Sequence, residues 1–221
     1  MDLSRSFDAA KVRLRAHWRS RRMREFLTRI GPSPGATVLD VGGSVDIWDL
    51  VDHRLRVTLF NTDEAHAWGF RPSRGGDARY RVATGDACDL RGFDDASFDI
   101  VFSNSVIEHV GDVRRVRCFA GEVRSVGRAY WVQTPSWLCP IEPHTGLPFY
   151  WLYPGPARAA IARRLDRRYA KNPWSCPMAE TRAFRLAELR ALFPDALVFT
   201  ERVAGVTKSW SLYRARDERP C

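Results

Sequence analysis

The sequence predicts an α/β fold: a mostly parallel sheet with helices on both faces, closed by an antiparallel hairpin. Three observations predict it. Short apolar runs, bounded by glycine, asparagine and aspartate, recur along residues 37–134 with helical stretches between them, as strands joined by helical crossovers do. The last two runs, 197–203 and 208–214, have only Ala204-Gly205-Val206-Thr207 between them, which suits a hairpin. A chain of 221 residues, 45% hydrophobic and 28% charged, has the composition of one globular domain with a sizeable core.

Taken in order, residues 7–30 carry apolar side chains at Phe7, Val12, Leu14, Trp18, Met23, Phe26, Leu27 and Ile30. That spacing predicts one or two amphipathic helices with an arginine-laden outer face. Gly31-Pro32-Ser33-Pro34-Gly35 stops them, so residues 1–34 read as an N-terminal helical cap. Thr37–Val41 is a short buried strand, and a helix starts at about Asp46. Further strands are expected at 56–61, at 80–84 (closed by Gly85-Asp86), at 98–103 after the turn-rich Phe93–Ser97, and at 129–134. Residues 105–126 read as helical. Residues 135–180, rich in proline and aromatics, read as an insertion over the sheet edge, with one basic helix near 156–170.

Composition excludes several classes. No apolar run reaches the roughly 18–20 residues of a membrane span. The first twenty residues lack the apolar core of a secretory signal, so a cytoplasmic protein is expected. The five cysteines, at 88, 118, 139, 176 and 221, form no CxxC pair; free thiols and no metal are expected. The net charge is +9, and only three of the 35 basic residues are lysine: Lys11, Lys171 and Lys208. Such a balance raises the odds of an anionic partner without bearing on the fold.

In an open α/β sheet, ligands bind beyond the carboxyl ends of the strands. The first strand ends in Asp40-Val41-Gly42-Gly43-Ser44, the second in Asn61-Thr62-Asp63, the third in Gly85-Asp86-Ala87 and the fourth in Ser103-Asn104-Ser105. All four tips carry small or hydrogen-bonding residues, as one shared polar ligand demands. Asn61 comes 19 residues after Gly42, near the offset expected of a ribose-binding side chain.

With VLDVGG, NTDE, GDACDL and FDDASFDIVFSNSVIEHV in this order, the chain resembles the class I S-adenosylmethionine-dependent methyltransferases. The resemblance is to the small-molecule branch (methyltransferase type 11) that includes the ubiquinone-pathway C-methyltransferases. It covers roughly residues 35–135 and the terminal hairpin. It implies a Rossmann-like seven-stranded sheet of order 3-2-1-4-5-7-6 and S-adenosyl-L-methionine as cofactor, with S-adenosyl-L-homocysteine as product. It also implies site residues. Asp40 and Gly42 would form the turn under the methionine portion, and Gly42 and Gly43 would let the backbone approach closely. Asn61 stands where the family usually has an acid for the ribose, a task that Asp63 could share. Asp86, with the Ala87 amide beside it, resembles the acid that meets the adenine amino group. Ser103 and Asn104 would flank the sulfonium through backbone atoms. Where the family wants a third glycine this chain has Asp46, which suits a helix start as a cap. Alternatively, Asp46 or Ser44 meets the cofactor's ammonium group.

Methyl transfer is an in-line displacement, so the protein must chiefly hold the nucleophile against the methyl carbon. A base is needed only where the acceptor must first lose a proton. The candidate catalytic residues are His109, after the fourth strand, and Glu142, His144 and Tyr150 in the insertion, with Trp151 as an aromatic wall. The Arg19–Arg24 and Arg163–Arg168 stretches are solvated faces or lid elements that grip an anion. The second of these readings points to an acceptor with an apolar body and an anionic head, such as a prenyl diphosphate or an acidic aromatic. The charge also suits an RNA methyltransferase, but no Asn-Pro-Pro-Tyr or Asp-Pro-Pro-Tyr follows the fourth strand and no RNA-binding module is recognisable. A nicotinamide oxidoreductase is disfavoured by the incomplete glycine fingerprint and the hairpin end. A non-catalytic Rossmann-like binding protein is compatible with the departures at Asp46 and Asn61. The chain is expected to work as a monomer or a homodimer.

Overall fold

The computed structural model describes residues 3–62, 78–170, 177–178 and 180–215, with side chains from residue 16 onward except that of Tyr169. Asp63 lies outside the described residues, as do the side chains of Phe7, Val12 and Leu14.

Helix α1 (Leu3–Ile30) leads to strand β1 (Thr37–Val41), the one-turn helix α2 (Val45–Trp48), β2 (Arg56–Asn61), β3 (Tyr80–Thr84) and β4 (Phe98–Asn104). Then come α3 (Val113–Val126), β5 (Gly127–Pro135), α4 (Gly155–Tyr169), α5 (Leu186–Leu192), β6 (Leu197–Val203) and β7 (Val206–Arg214). The seven strands form one sheet of order β3-β2-β1-β4-β5-β7-β6. β3, β2, β1, β4 and β5 pair in parallel. β7 runs antiparallel between β5 and β6. This is the predicted order.

Alternation along the strands sends side chains to two cores. Leu39, Val41, Val101, Tyr130, Val132 and Leu212 face α3 and α5, whose Phe119, Val123 and Leu189 cover them. Val38, Leu59, Phe102, Trp131, Phe199 and Tyr213 face α1 and α2, through Met23, Phe26, Ile30 and Trp48. Phe26 sits edge-on to Trp48, Phe102 and Trp131, with ring centroids 5.9, 5.0 and 5.8 Å away. Such packing adds about 0.5–1.5 kcal/mol per pair beyond the area buried.

Several details differ from the sequence expectation. Residues 7–30 lie in one continuous helix. The helix at Asp46 is a single turn whose N-cap position is Ser44, so Asp46 sits in its first turn and is not its cap. The 105–126 stretch is a short 3-10 turn, Ile107–His109, followed by α3, which Asp112 caps by accepting the Arg115 amide. The hairpin link is the two-residue Ala204-Gly205, with φ 48° and 81°. Two successive positive φ values match a type I′ turn, whose twist suits the flanking strands. The sequence pattern does not predict helix α5.

Candidate active site

The parallel strands end on one rim, and backbone bonds tie the tips together. The Gly42 amide donates to Phe60 O (2.7 Å), the Gly85 amide to Asn61 O (2.8 Å) and the Ser105 amide to Gln133 O (3.0 Å). The predicted tips of β1, β2, β3 and β4 are therefore neighbours. Along this rim lie two groups of polar residues.

The first surrounds the glycine turn after β1. Gly42 has φ 78°, and a Cβ on it would run into the Val106 side chain. A Cβ on Gly43 would overlap the Asp40 carboxyl. Both glycines are thus required by the chain's own packing, whatever binds above them. Asp40 is fully buried and accepts from Trp48 Nε1 at 2.7 Å. Its other oxygen, Oδ1, is buried with no partner among the described residues. Burial pushes this carboxyl up to about 7, against the lowering effect of the Trp48 bond. Asn61 Nδ2 donates to Gly43 O at 3.0 Å, and the buried Ser103 Oγ donates to Val41 O at 3.1 Å. Ser44 is exposed and its hydroxyl caps nothing. Asp86 accepts both from the Cys88 amide (2.9 Å) and from the Arg115 guanidinium of α3 (2.8 and 2.9 Å). Partial burial opposes its charge, yet those bonds hold Asp86 below the usual carboxylate range. Ala87 beside it is half-buried.

The second group lies past β4 and β5. Glu108 is buried; its Oε2 accepts from Thr134 Oγ1 at 2.9 Å, and its Oε1 has no partner among the described residues. Burial pushes it up to about 7. The ring of His109 meets the ring of His144 edge-on, with centroids 4.7 Å apart. Burial, helped by the charge of His144, pushes His109 down to about 4, so it is neutral at pH 7. Glu142 is buried and accepts from His144 Nδ1 (2.7 Å) and from the amides of His144 (2.8 Å) and Thr145 (2.6 Å). Burial works against its charge, but His144 and those amides hold it below the usual range. A carboxylate only accepts, so Nδ1 of His144 carries the hydrogen and, in the neutral ring, Nε2 the lone pair. Tyr150 is turned elsewhere. Its hydroxyl donates to Arg158 O at 3.0 Å, and its ring packs with Ala162 and Met178.

Sequence reasoning missed the residues beneath this second group. Arg22 of α1 is 4% exposed. It donates to Glu201 Oε2 (2.6 Å), Asn104 Oδ1 (2.5 Å) and Gln133 Oε1 (3.1 Å). Glu201, fully buried, also accepts from Lys208 Nζ (3.2 Å) and Ser209 Oγ. The Lys208 ammonium lies 5.0 Å from the Trp18 ring centroid. A signal was present: Trp18, Arg22 and Phe26 are spaced by four, so Arg22 falls on the buried stripe of its helix. Likewise, Glu201 shares a strand face with buried Phe199. Among the described residues no group of three or more potential ligands could hold a metal ion. No helix there is long and apolar enough to cross a membrane.

Comparison with known proteins adds three findings. A sequence pattern described as a methyltransferase domain matches residues 42–126, from the glycine turn to the end of α3. No curated protein matches the chain. Many solved structures share the fold. One comes from a Haloferax volcanii complex of the Trm112 methyltransferase activator and a methyltransferase, at 15% identity and TM-score 0.57, covering 89% of each chain. Another is an O-methyltransferase family protein from Burkholderia thailandensis, at 14% identity and TM-score 0.54, covering 92% of this chain and 59% of that one. A third is a SAM-dependent methyltransferase from Aquifex aeolicus, at 16% identity and TM-score 0.50, covering 86% and 87%.

Proposed function

We infer that this chain, a class I methyltransferase by its domain and its fold, moves the methyl group of S-adenosylmethionine to a small-molecule acceptor at the β4–β5 end of the rim. When bound, the cofactor supplies a methyl group on a sulfonium, activated for in-line displacement. The chain's residues fit it on one observation above all. Asp40 presents a buried, unpartnered carboxyl oxygen directly under the Gly42-Gly43 turn. A cation such as the cofactor's ammonium would satisfy that oxygen and bring the raised carboxyl back into its charged form. Gly42, Gly43, Ser44 and Asn61 would line the methionine and ribose portions, with Asp63 as a further ribose ligand. Asp86 and Ala87 would meet the adenine, and Ser103 and Asn104 the sulfonium. For Asp86 that means exchanging the Arg115 guanidinium for the adenine amino group.

On the acceptor side, Glu142 holds His144 in one tautomer and orientation through the 2.7 Å bond to Nδ1. This is how a base is prepared: the orienting carboxylate also stabilises the charge that His144 gains on taking a proton at Nε2. His109, neutral and edge-on, positions that ring. Tyr150, sealed against Ala162 and Met178, supports the insertion from within and takes no part in the transfer. The acceptor is read as anionic with an apolar body, a prenyl diphosphate or an acidic aromatic, in keeping with the basic balance of the chain. The test is release of S-adenosylhomocysteine over a panel of such acceptors. With the best of them, Glu142→Gln should lower kcat by about 10²-fold, and His144→Ala by about 10²–10⁴-fold. Unchanged rates in both variants would remove the base from the account.

One observation favours a second reading, a non-catalytic protein on the same fold. Asp86, Asn61 and the space at Gly42 are engaged by Arg115, Gly43 O and Val106 respectively. Binding of S-adenosylhomocysteine without turnover of any acceptor would favour it.

A further inference from the structure

We propose that the side-chain amides of Asn104 and Gln133 form a pair of hydrogen-bond donors that recognises an anionic oxygen of the acceptor, and that Arg22 fixes their direction. The proposal rests on the methyltransferase reading and names the acceptor's chemistry at that site: a carboxylate or a phenolate.

Asn104 and Gln133 are opposite neighbours on β4 and β5, so their side chains leave the same face of the sheet side by side. A carboxamide has one accepting end and one donating end, and which way it turns is set by its partners. Arg22 can only donate. It bonds Asn104 Oδ1 at 2.5 Å and Gln133 Oε1 at 3.1 Å with the same nitrogen. Gln133 Oε1 accepts a second bond, from Ser105 Oγ at 2.9 Å. Both oxygens are therefore committed, and both NH2 groups point away from the guanidinium. Neither amide nitrogen has a hydrogen-bond partner among the described residues. Asn104 is half-buried and Gln133 is 1% exposed, so the donor pair lies at the inner end of the site. Ser105, which completes the arrangement, is held at φ 59°, a left-handed conformation that costs a non-glycine residue about 1–3 kcal/mol. The strain lies at the tip of β4, beside the donor pair.

The charges agree. Arg22 and Lys208 bring two positive charges to this cluster, and Glu201 brings one negative charge. Glu108, bonded to Thr134 on the opposite face of β5, is pushed towards its neutral form by burial. An anionic oxygen bonded to the two amides would balance the remaining positive charge and satisfy two donors. A cationic or purely apolar group at this place would do neither.

The test uses the full chain saturated with S-adenosylhomocysteine, with sodium benzoate as probe and benzylammonium chloride as its cationic counterpart. The side-chain NH2 resonances, assigned through Asn104→Ala and Gln133→Leu, should shift saturably with benzoate and not with benzylammonium. Gln133→Leu should weaken benzoate binding by about tenfold, as loss of a charge-assisted hydrogen bond does. It should leave S-adenosylhomocysteine affinity within about twofold. Absence of the shift, equal shifts with both probes, or benzoate affinity unchanged in Asn104→Ala and Gln133→Leu would overturn the proposal. Failure of the enzymatic reading is told apart in the same samples: loss of the homocysteine-cofactor signal with an intact benzoate response would spare the donor pair.

Discussion

The two ends of the rim differ in how their polar groups are satisfied. At the β1–β3 end the candidate residues largely bond to one another: Asn61 to Gly43 O, Asp86 to Arg115, Ser103 to Val41 O. One valence is open there among the described residues, Asp40 Oδ1, whereas at the β4–β5 end three are, Glu108 Oε1 and the amide nitrogens of Asn104 and Gln133. The first end is held by contacts 18, 29 and 62 positions apart, between neighbouring strand tips and α3. The second is held by contacts of long sequence separation, with Arg22 and Glu201 lying 179 positions apart. The buried polar cluster at the second end is gathered from α1, β4, β5, β6 and β7.

The sharpest way to break this comparison is to remove the scaffold. Arg22→Met leaves Glu201 buried with Lys208 and the Ser209 hydroxyl and should cost about 3–5 kcal/mol in urea unfolding. A loss under about 1 kcal/mol would show that the β4–β5 end does not depend on the long-range network. A second contrast uses pH. The folded values of Asp40 and Glu108 are raised to about 7, so each favours the folded state when protonated. That contribution is full below about pH 4 and is lost as pH rises to about 7. His109 acts oppositely, its contribution falling away as pH drops from about 6.5 towards 4. Wild type minus Asp40→Asn isolates one carboxyl. Their stability difference should fall with rising pH between about 4 and 7, by up to about 1.4 kcal/mol per unit.

A smaller effect is expected at the turn. Gly43→Ala drives a methyl group into Asp40 and should destabilise by about 1–3 kcal/mol. Gly121→Ala in α3, which meets nothing within 4 Å, should instead stabilise by up to about 1 kcal/mol. The smallest effect is expected for Arg115→Ala. The ion pair with Asp86 is half-exposed, so stability should change by less than about 1 kcal/mol. Freed for the adenine amino group, Asp86 should then raise S-adenosylhomocysteine affinity by up to about fivefold, the equivalent of about 1 kcal/mol.

The same contrast explains what is legible in the sequence. The strands can be read because each is a short apolar run closed by turn residues, and their order follows from the family resemblance. Helix α5 escapes: at seven residues it is too short to display a helical period. The helix at Asp46 reads as longer than its one turn because Ile47 and Trp48 begin an apolar pattern that Asp49 ends. The glycine turn and the tips at Asn61, Asp86 and Ser103 are visible because each follows its own strand. Arg22, Gln133, Glu201 and Lys208 are not, since an arginine in an arginine-rich helix looks solvated until its partners on β4, β5 and β6 are known. The His144–Glu142 pair is half legible: the two residues are close in the chain, but only the fold brings His109 against them.

The central claim is that one adenosyl ligand sits on the tips of β1–β4. Calorimetric titration with S-adenosylhomocysteine tests it most directly. The account predicts saturable binding of one ligand per chain, abolished by Ala87→Trp while the circular dichroism of the folded protein is retained. Folded protein that takes up no ligand, or that binds it equally well with tryptophan at position 87, would contradict it.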